Sequence, residues 1–249
     1  MAELLKFATA ESRPREPDEF VFTETGQDIL RSLELVRSAP GIAMTMIAGV
    51  PGSGKTRALQ HFVAQEGYDA VYLRVANGEG KPTAVATNIM RMFNVDVNGM
   101  SLSAMRDRVS RYIGRGRVLV LDEAEYLDKQ GAEWVRALAE TRQTDLVLCG
   151  DLTLLTKVSG IAKLSSRMKR PVVIKEVSRT DVEAFTEGTP FVAGAAIDAL
   201  HAVAKMKGGL RNVDNVIRLA MIFSGSDRPT FAHLKAAVAD MKLSGRGTV

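Results

Sequence analysis

With 249 residues, 46% of them hydrophobic and 25% charged, the chain has the balance of a globular protein with enough length to bury a core, as one large domain or a domain with an appendage. No apolar run approaches the ~18 residues that a membrane span needs, and Glu3 and Lys6 stand where a signal peptide would have its apolar stretch; both features argue against a membrane partner and predict a cytoplasmic protein. A formal net charge of +4 permits contact with an anionic polymer without demanding it.

Residues 1–18 carry two prolines and mixed charges with little apolar periodicity, which predicts a flexible N-terminal arm. From Glu24 to Arg37, Ile29, Leu30, Leu33 and Val36 recur at helical spacing, and Pro40-Gly41 closes that helix. Ala43 to Ala48 reads as a buried strand and Arg57 to Gln65 as a helix stopped by Gly67. Between them Gly49-Val50-Pro51-Gly52-Ser53-Gly54-Lys55-Thr56 fits the phosphate-binding pattern G-x-x-x-x-G-K-[ST]. Glycines let the backbone wrap a phosphate with its N–H groups inward, Lys55 brings a cation to the β and γ phosphates, and Thr56 offers a hydroxyl to Mg²⁺. ATP with Mg²⁺ is therefore the expected ligand.

Further along, Ala70 to Ala76 reads as a strand, Thr83 to Phe93 as a helix, and Leu102, Met105, Val109, Tyr112 and Ile113 share one face of another helix. Arg117 to Leu121, Asp145 to Cys149 and Pro171 to Ile174 supply three more strands. Alternating strands and helices predict a five-stranded parallel αβα sandwich over residues 19–178. From residue 179 the pattern turns all-helical, with a capping box read at Thr180 to Glu183 and helices over Ala193–Met206, Arg211–Phe223 and Thr230–Met241, before a loose end at Ser244–Val249. Residues 179–249 are accordingly a small helical lid with a tail helix.

The strand Val118–Leu121 ends in Asp122-Glu123, two carboxylates that suit a phosphate-binding loop across the sheet. Asp122 can hold Mg²⁺ and Glu123 can polarise a water for in-line attack on the γ phosphate. The same pair also suits the N-terminus of a helix beginning at Ala124. Cys149 is a small core residue in an apolar run, and His61, His201 and His233 lack ligand spacing, so no metal beyond Mg²⁺ is expected.

The order of P-loop, D-E-A-E-Y-L, Gly150-Asp151, Ser166-Arg167-Met168-Lys169-Arg170 and Gly209-Leu210-Arg211-Asn212-Val213 resembles the AAA+ ATPases. More narrowly it is similar to the transposition ATPases, the phage Mu transposition protein B and TnsC-like proteins, including the opening Phe20-Val21-Phe22-Thr23. The resemblance spans residues 19 to 223. It implies that Arg167, or alternatively Arg170, is an arginine finger reaching a neighbour's nucleotide, although either could be plain surface charge. It implies that Arg211 reads the γ phosphate from the lid; otherwise Arg211 is an ordinary helix-start residue. Asp151 departs from the pattern, because the resemblance implies a polar sensor there and a carboxylate would add like charge, leaving an N-cap role open.

Lys81 and the run Arg106, Arg108, Arg111, Arg115 and Arg117 could track a DNA backbone without reading sequence, with solvated helix charge as the alternative. As a whole the resemblance implies a slow ATPase that forms a ring or helical filament on duplex DNA and directs a transposase to it. A helicase loader or replication initiator, or a nucleotide-dependent scaffold with negligible turnover, is the alternative.

Overall fold

The computed structural model describes residues 20–41 and 43–241. The expected arm at 1–18 and loose end at 244–249 lie outside these residues. Five parallel strands form one sheet: β1 (Met44–Gly49), β2 (Ala70–Arg74), β3 (Val118–Asp122), β4 (Asp145–Gly150) and β5 (Val172–Ile174), in the order β2-β3-β4-β1-β5. β1, β3 and β4 are buried along their whole length, as strands covered on both faces must be.

One face is covered by α1 (Glu24–Ser38) and α2 (Lys55–Glu66). Ile29, Leu33, Leu59 and Phe62 pack there on Ile47, Val118, Val120, Val147 and Cys149. α1 starts where Thr23 accepts a hydrogen bond from the Gly26 N–H, so its apolar stripe is set in register from the cap onward. The opposite face is covered by α3 (Pro82–Met92), α4 (Leu102–Ile113), α5 (Lys129–Arg142), α6 (Thr153–Ser159) and the single turn α7 (Ala162–Ser165), over Met46, Leu119, Leu121, Leu146 and Leu148.

The remaining helices, α8 (Arg179–Thr186), α9 (Gly194–Ala204), α10 (Leu210–Ser224) and α11 (Phe231–Asp240), enclose a separate apolar cluster around Leu200, Val213, Val216 and Leu234. α8 corrects one sequence expectation. Its capping box is built by Ser178 and Asp181, not by Thr180 and Glu183: the Ser178 hydroxyl accepts the Asp181 N–H, and Asp181 in turn accepts the Ser178 N–H. The residues after Asp122-Glu123 form a single 3-10 turn, Ala124–Tyr126, and the long helix α5 starts only after Asp128, which caps it by accepting the Gly131 N–H.

Asp181 also joins the two parts. Only 1% exposed, it takes the Thr25 N–H at 2.9 Å and the Thr25 hydroxyl at 2.6 Å, so one carboxylate sits against the N-termini of both α1 and α8. Both helix dipoles favour a negative charge at that point. No helix among the described residues is long and apolar enough to cross a membrane.

Candidate nucleotide-binding site

The loop Gly49–Thr56 joins β1 to α2 at the carboxyl edge of the sheet, the position the sequence predicts. It is held from two sides. The Val50 N–H donates to the Ile174 carbonyl at 3.0 Å, and the Leu210 N–H of α10 donates to the Gly52 carbonyl at 2.9 Å. Gly52 has φ +77°, and a Cβ there would lie 1.8 Å from the Gly208 carbonyl oxygen, so no other residue fits. α2 follows Gly54, an N-cap with no side chain to occupy the helix start, the arrangement that suits a phosphate. Lys55 lies across the loop with Nζ donating to the Gly49 and Val50 carbonyls at 2.7 and 3.0 Å, while the Ser53 hydroxyl donates to Val50.

This loop opens on a cleft of about 550 Å³. Phe20, Val21, Phe185 and Leu210 supply apolar walls to it. The Phe20 ring stacks on His61 of α2 at 4.4 Å, and Phe22 meets the same imidazole edge-on. Of these apolar residues Phe20, Val21 and Leu210 lie in segments that carry the sequence resemblance, and Phe185 does not. On the remaining side α10 presents Arg211, Asp214 and Arg218, the last two ion-paired at 2.7 Å. A second cavity, about 300 Å³ and apolar, lies under α5, α6 and α7, away from the loop.

Across from the loop, strand parity turns Asp122 toward the α2 face, the same face as Val118 and Val120. Asp122 is 2% exposed. Its Oδ2 accepts the Thr56 hydroxyl and the Tyr72 hydroxyl, both at 2.8 Å, and its Oδ1 accepts the Glu123 N–H at 3.0 Å. Burial and the adjoining Asp122 charge push the Tyr72 phenol far above its ordinary range, so it stays a donor. Thr56 and Asp122 are hard oxygen donors side by side. They fit Mg²⁺, which takes one or two protein oxygens and completes its shell with phosphate and water.

Glu123 sits at φ +57° and its carboxylate is held by Arg74 of the edge strand, NH2 to Oε1 at 2.8 Å. Arg74 is 68% exposed at its side chain, at the rim of the cleft. A third carboxylate, Glu125, packs against Gly150 and is pushed above the usual range, by burial first and by the Asp151 and Glu123 charges besides. Asp151, one residue ahead of the N-cap Leu152 of α6, spends Oδ1 on the Thr153 N–H at 2.8 Å and the Thr153 hydroxyl at 2.5 Å.

The remaining sequence candidates stand outside the cleft. Arg167 pairs with Glu140, whose carboxyl burial raises but whose two arginine partners, Arg136 and Arg167, hold below the usual range. Arg170, at φ +44°, pairs with Asp28 of α1, and its carbonyl accepts the Ser32 hydroxyl at 2.7 Å. Arg106, Arg108 and Arg111 are exposed on α4, and Lys81 is exposed just before α3.

Comparison with known proteins bears on the whole chain. Residues 41–158 match the AAA domain model, and residues 166–241 match the model of the Mu B transposition protein C-terminal domain. The ATP-dependent target DNA activator B of Escherichia phage D108 is 25% identical over 242 residues, covering 92% of this chain and 75% of that protein, and its counterpart in Escherichia phage Mu aligns to the same extent. The Mu-like prophage FluMu DNA transposition protein B of Haemophilus influenzae is 24% identical over 205 residues, 77% of this chain and 69% of that protein. Among solved structures, the Aeropyrum pernix ORC1 protein in complex with DNA superposes with a TM-score of 0.67 at 18% identity, covering 93% of this chain and 68% of that one. The Pyrobaculum aerophilum Cdc6p structure gives a TM-score of 0.67 at 15% identity, covering 92% and 70%. These two likenesses establish the fold. The chain is thus similar to AAA domains over its first part and to the Mu B C-terminal domain over its second, and as a whole it resembles the transposition ATPases of the Mu B type.

Proposed function

We propose that the chain is an ATP-dependent, DNA-binding ATPase that assembles on duplex DNA and directs a transposase to it. The observation that carries this is the P-loop facing Asp122-Glu123 across one cleft, in a chain whose C-terminal part matches Mu B. In this reading the loop N–H groups and Lys55 bind the phosphates of ATP, which draw Nζ away from the Gly49 and Val50 carbonyls. Thr56 and Asp122 hold Mg²⁺, which when bound offsets the phosphate charge. Phe20, Val21 and Phe185 receive the base.

Glu123 orients the attacking water. Its carboxylate is engaged by Arg74, so turnover requires that pair to open, which supports a slow basal rate that DNA or a partner raises. Arg211 reports the γ phosphate to the helical part. Arg167 completes a neighbour's site in a ring or helical filament; Arg170 is the weaker choice, because side chain and backbone alike anchor it to α1. Lys81, Arg106, Arg108 and Arg111 track the DNA backbone without regard to sequence, and the protein works in the cytoplasm. Asp151, spent on Thr153, and Glu123, held by Arg74, also favour a second reading in which the chain is a nucleotide-dependent scaffold with negligible turnover.

Steady-state ATP hydrolysis with and without duplex DNA at two salt concentrations, with images of the same samples, tests this. The expected result is ATP-dependent assemblies on the duplex and hydrolysis stimulated by DNA, both fading with salt. Assembly without measurable hydrolysis selects the scaffold, and no DNA effect with no assembly overturns the proposal.

A further inference from the structure

The edge strand β2 reaches over both carboxylates of the site. β2 pairs with β3 in parallel, Tyr72 beside Val120 and Arg74 beside Asp122, so alternate residues of β2 face the same side as Asp122. Arg74 takes Glu123, and Tyr72 takes Asp122. The bland reading of a tyrosine here is a core filler, since its ring packs beside the α1–α2 side of the sheet. Its hydroxyl, however, lies on the carboxylate oxygen that also accepts from Thr56. Thr56 can give an oxygen lone pair to a metal ion while its O–H still donates to Oδ2, so that oxygen is held by two donors, one of them on the metal-binding side and the other, Tyr72, behind it. Oδ1 is held by the Glu123 N–H, and the buried Cys149 thiol lies close by on β4.

We propose that Tyr72 is a positioning residue for the metal end of the cleft: its hydroxyl fixes the Asp122 carboxylate and thereby sets how tightly the magnesium form of the nucleotide is held. The inference rests on the nucleotide reading above. Without that donor the nearly fully buried carboxylate loses a hydrogen bond, and it rotates toward its remaining donors. The position that suits magnesium is then no longer its resting position. A role confined to packing would leave the magnesium dependence alone, because phenylalanine fills the same space.

Binding of a fluorescent ATP analogue to the whole chain, titrated with magnesium and repeated in EDTA, separates these roles. In Tyr72→Phe the magnesium concentration for half-maximal binding should rise about three- to tenfold, the range for the net worth of one ordinary hydrogen bond. Affinity in EDTA should stay within about twofold, and in an Asp122→Asn background Tyr72→Phe should add less than about twofold. An unchanged magnesium dependence, an equal loss in EDTA, or an undiminished effect beside Asp122→Asn overturns the inference. Failure of the parent chain itself to bind the analogue would overturn the nucleotide reading as well. If Tyr72→Phe does not fold, 3-fluorotyrosine at position 72 gives a fluorine resonance that must shift with Asp122→Asn; an unmoved resonance overturns the inference equally.

Discussion

The sheet edge and the helical part meet the same cleft in different ways. At the sheet edge the Asp122 carboxylate is fixed from several directions: it accepts from Thr56, Tyr72 and the Glu123 backbone, and it is almost fully buried. The helical part has its own apolar cluster, and its polar ties to the sheet run through few points, chiefly Asp181 to Thr25 and the Leu210 N–H to Gly52. Geometry that must be accurate to fractions of an ångström is thus built into the rigid body. The side proposed to sense the ligand hangs on contacts few enough to rearrange.

This contrast can be broken at either end. The largest effect is expected from Glu123→Gln, which keeps the shape of the site and removes the carboxylate: hydrolysis should fall by about 10²- to 10⁴-fold while nucleotide binding persists. Single-turnover rates beside equilibrium binding check it, and hydrolysis within about threefold of the parent would remove Glu123 from the chemistry. Next comes Asp181→Ala. It strips a buried carboxylate from two helix N-termini and should cost about 2–4 kcal/mol, with the helical part unfolding ahead of the sheet. Denaturant melts followed by hydrogen exchange on α8–α11 and on β1 would show it, and one joint transition with little loss would mean that the seam lies elsewhere. The smallest effect is expected from Arg74→Ala. Freeing an exposed partner of Glu123 should raise DNA-independent hydrolysis about two- to fivefold, since such an exposed pair is worth about 0.2–1 kcal/mol. A fall in that rate would instead make Arg74 part of the catalytic machinery.

How much of this was legible beforehand follows from sequence distance. The P-loop and Asp122-Glu123 are contiguous runs whose chemistry is written in their own spacing, and both lie where strand and helix patterns place them. Tyr72, Arg74 and Asp181 gave no such sign. Tyr72 and Arg74 acquire their carboxylates only once β2 is laid beside β3 in a particular register, and Asp181 meets Thr25 across 156 residues. Around α8 two patterns compete, Ser178 with Asp181 and Thr180 with Glu183, and the tie to Thr25 accompanies the first. α5 did leave a signal, with Asp128 as a cap before Trp134, Val135, Leu138 and Ala139 at helical spacing.

The hydrogen bond from Leu210 to Gly52, with Gly208 pressed on the same glycine, joins the two regions in a reciprocal bargain. A ligand on the P-loop that prefers one setting of α10 must, by linkage, be preferred in turn by whatever grips α8–α11 in that setting, and by the same factor. A protein that grips the helical part more tightly in one setting would therefore change the affinity of a ligand for a loop it never touches.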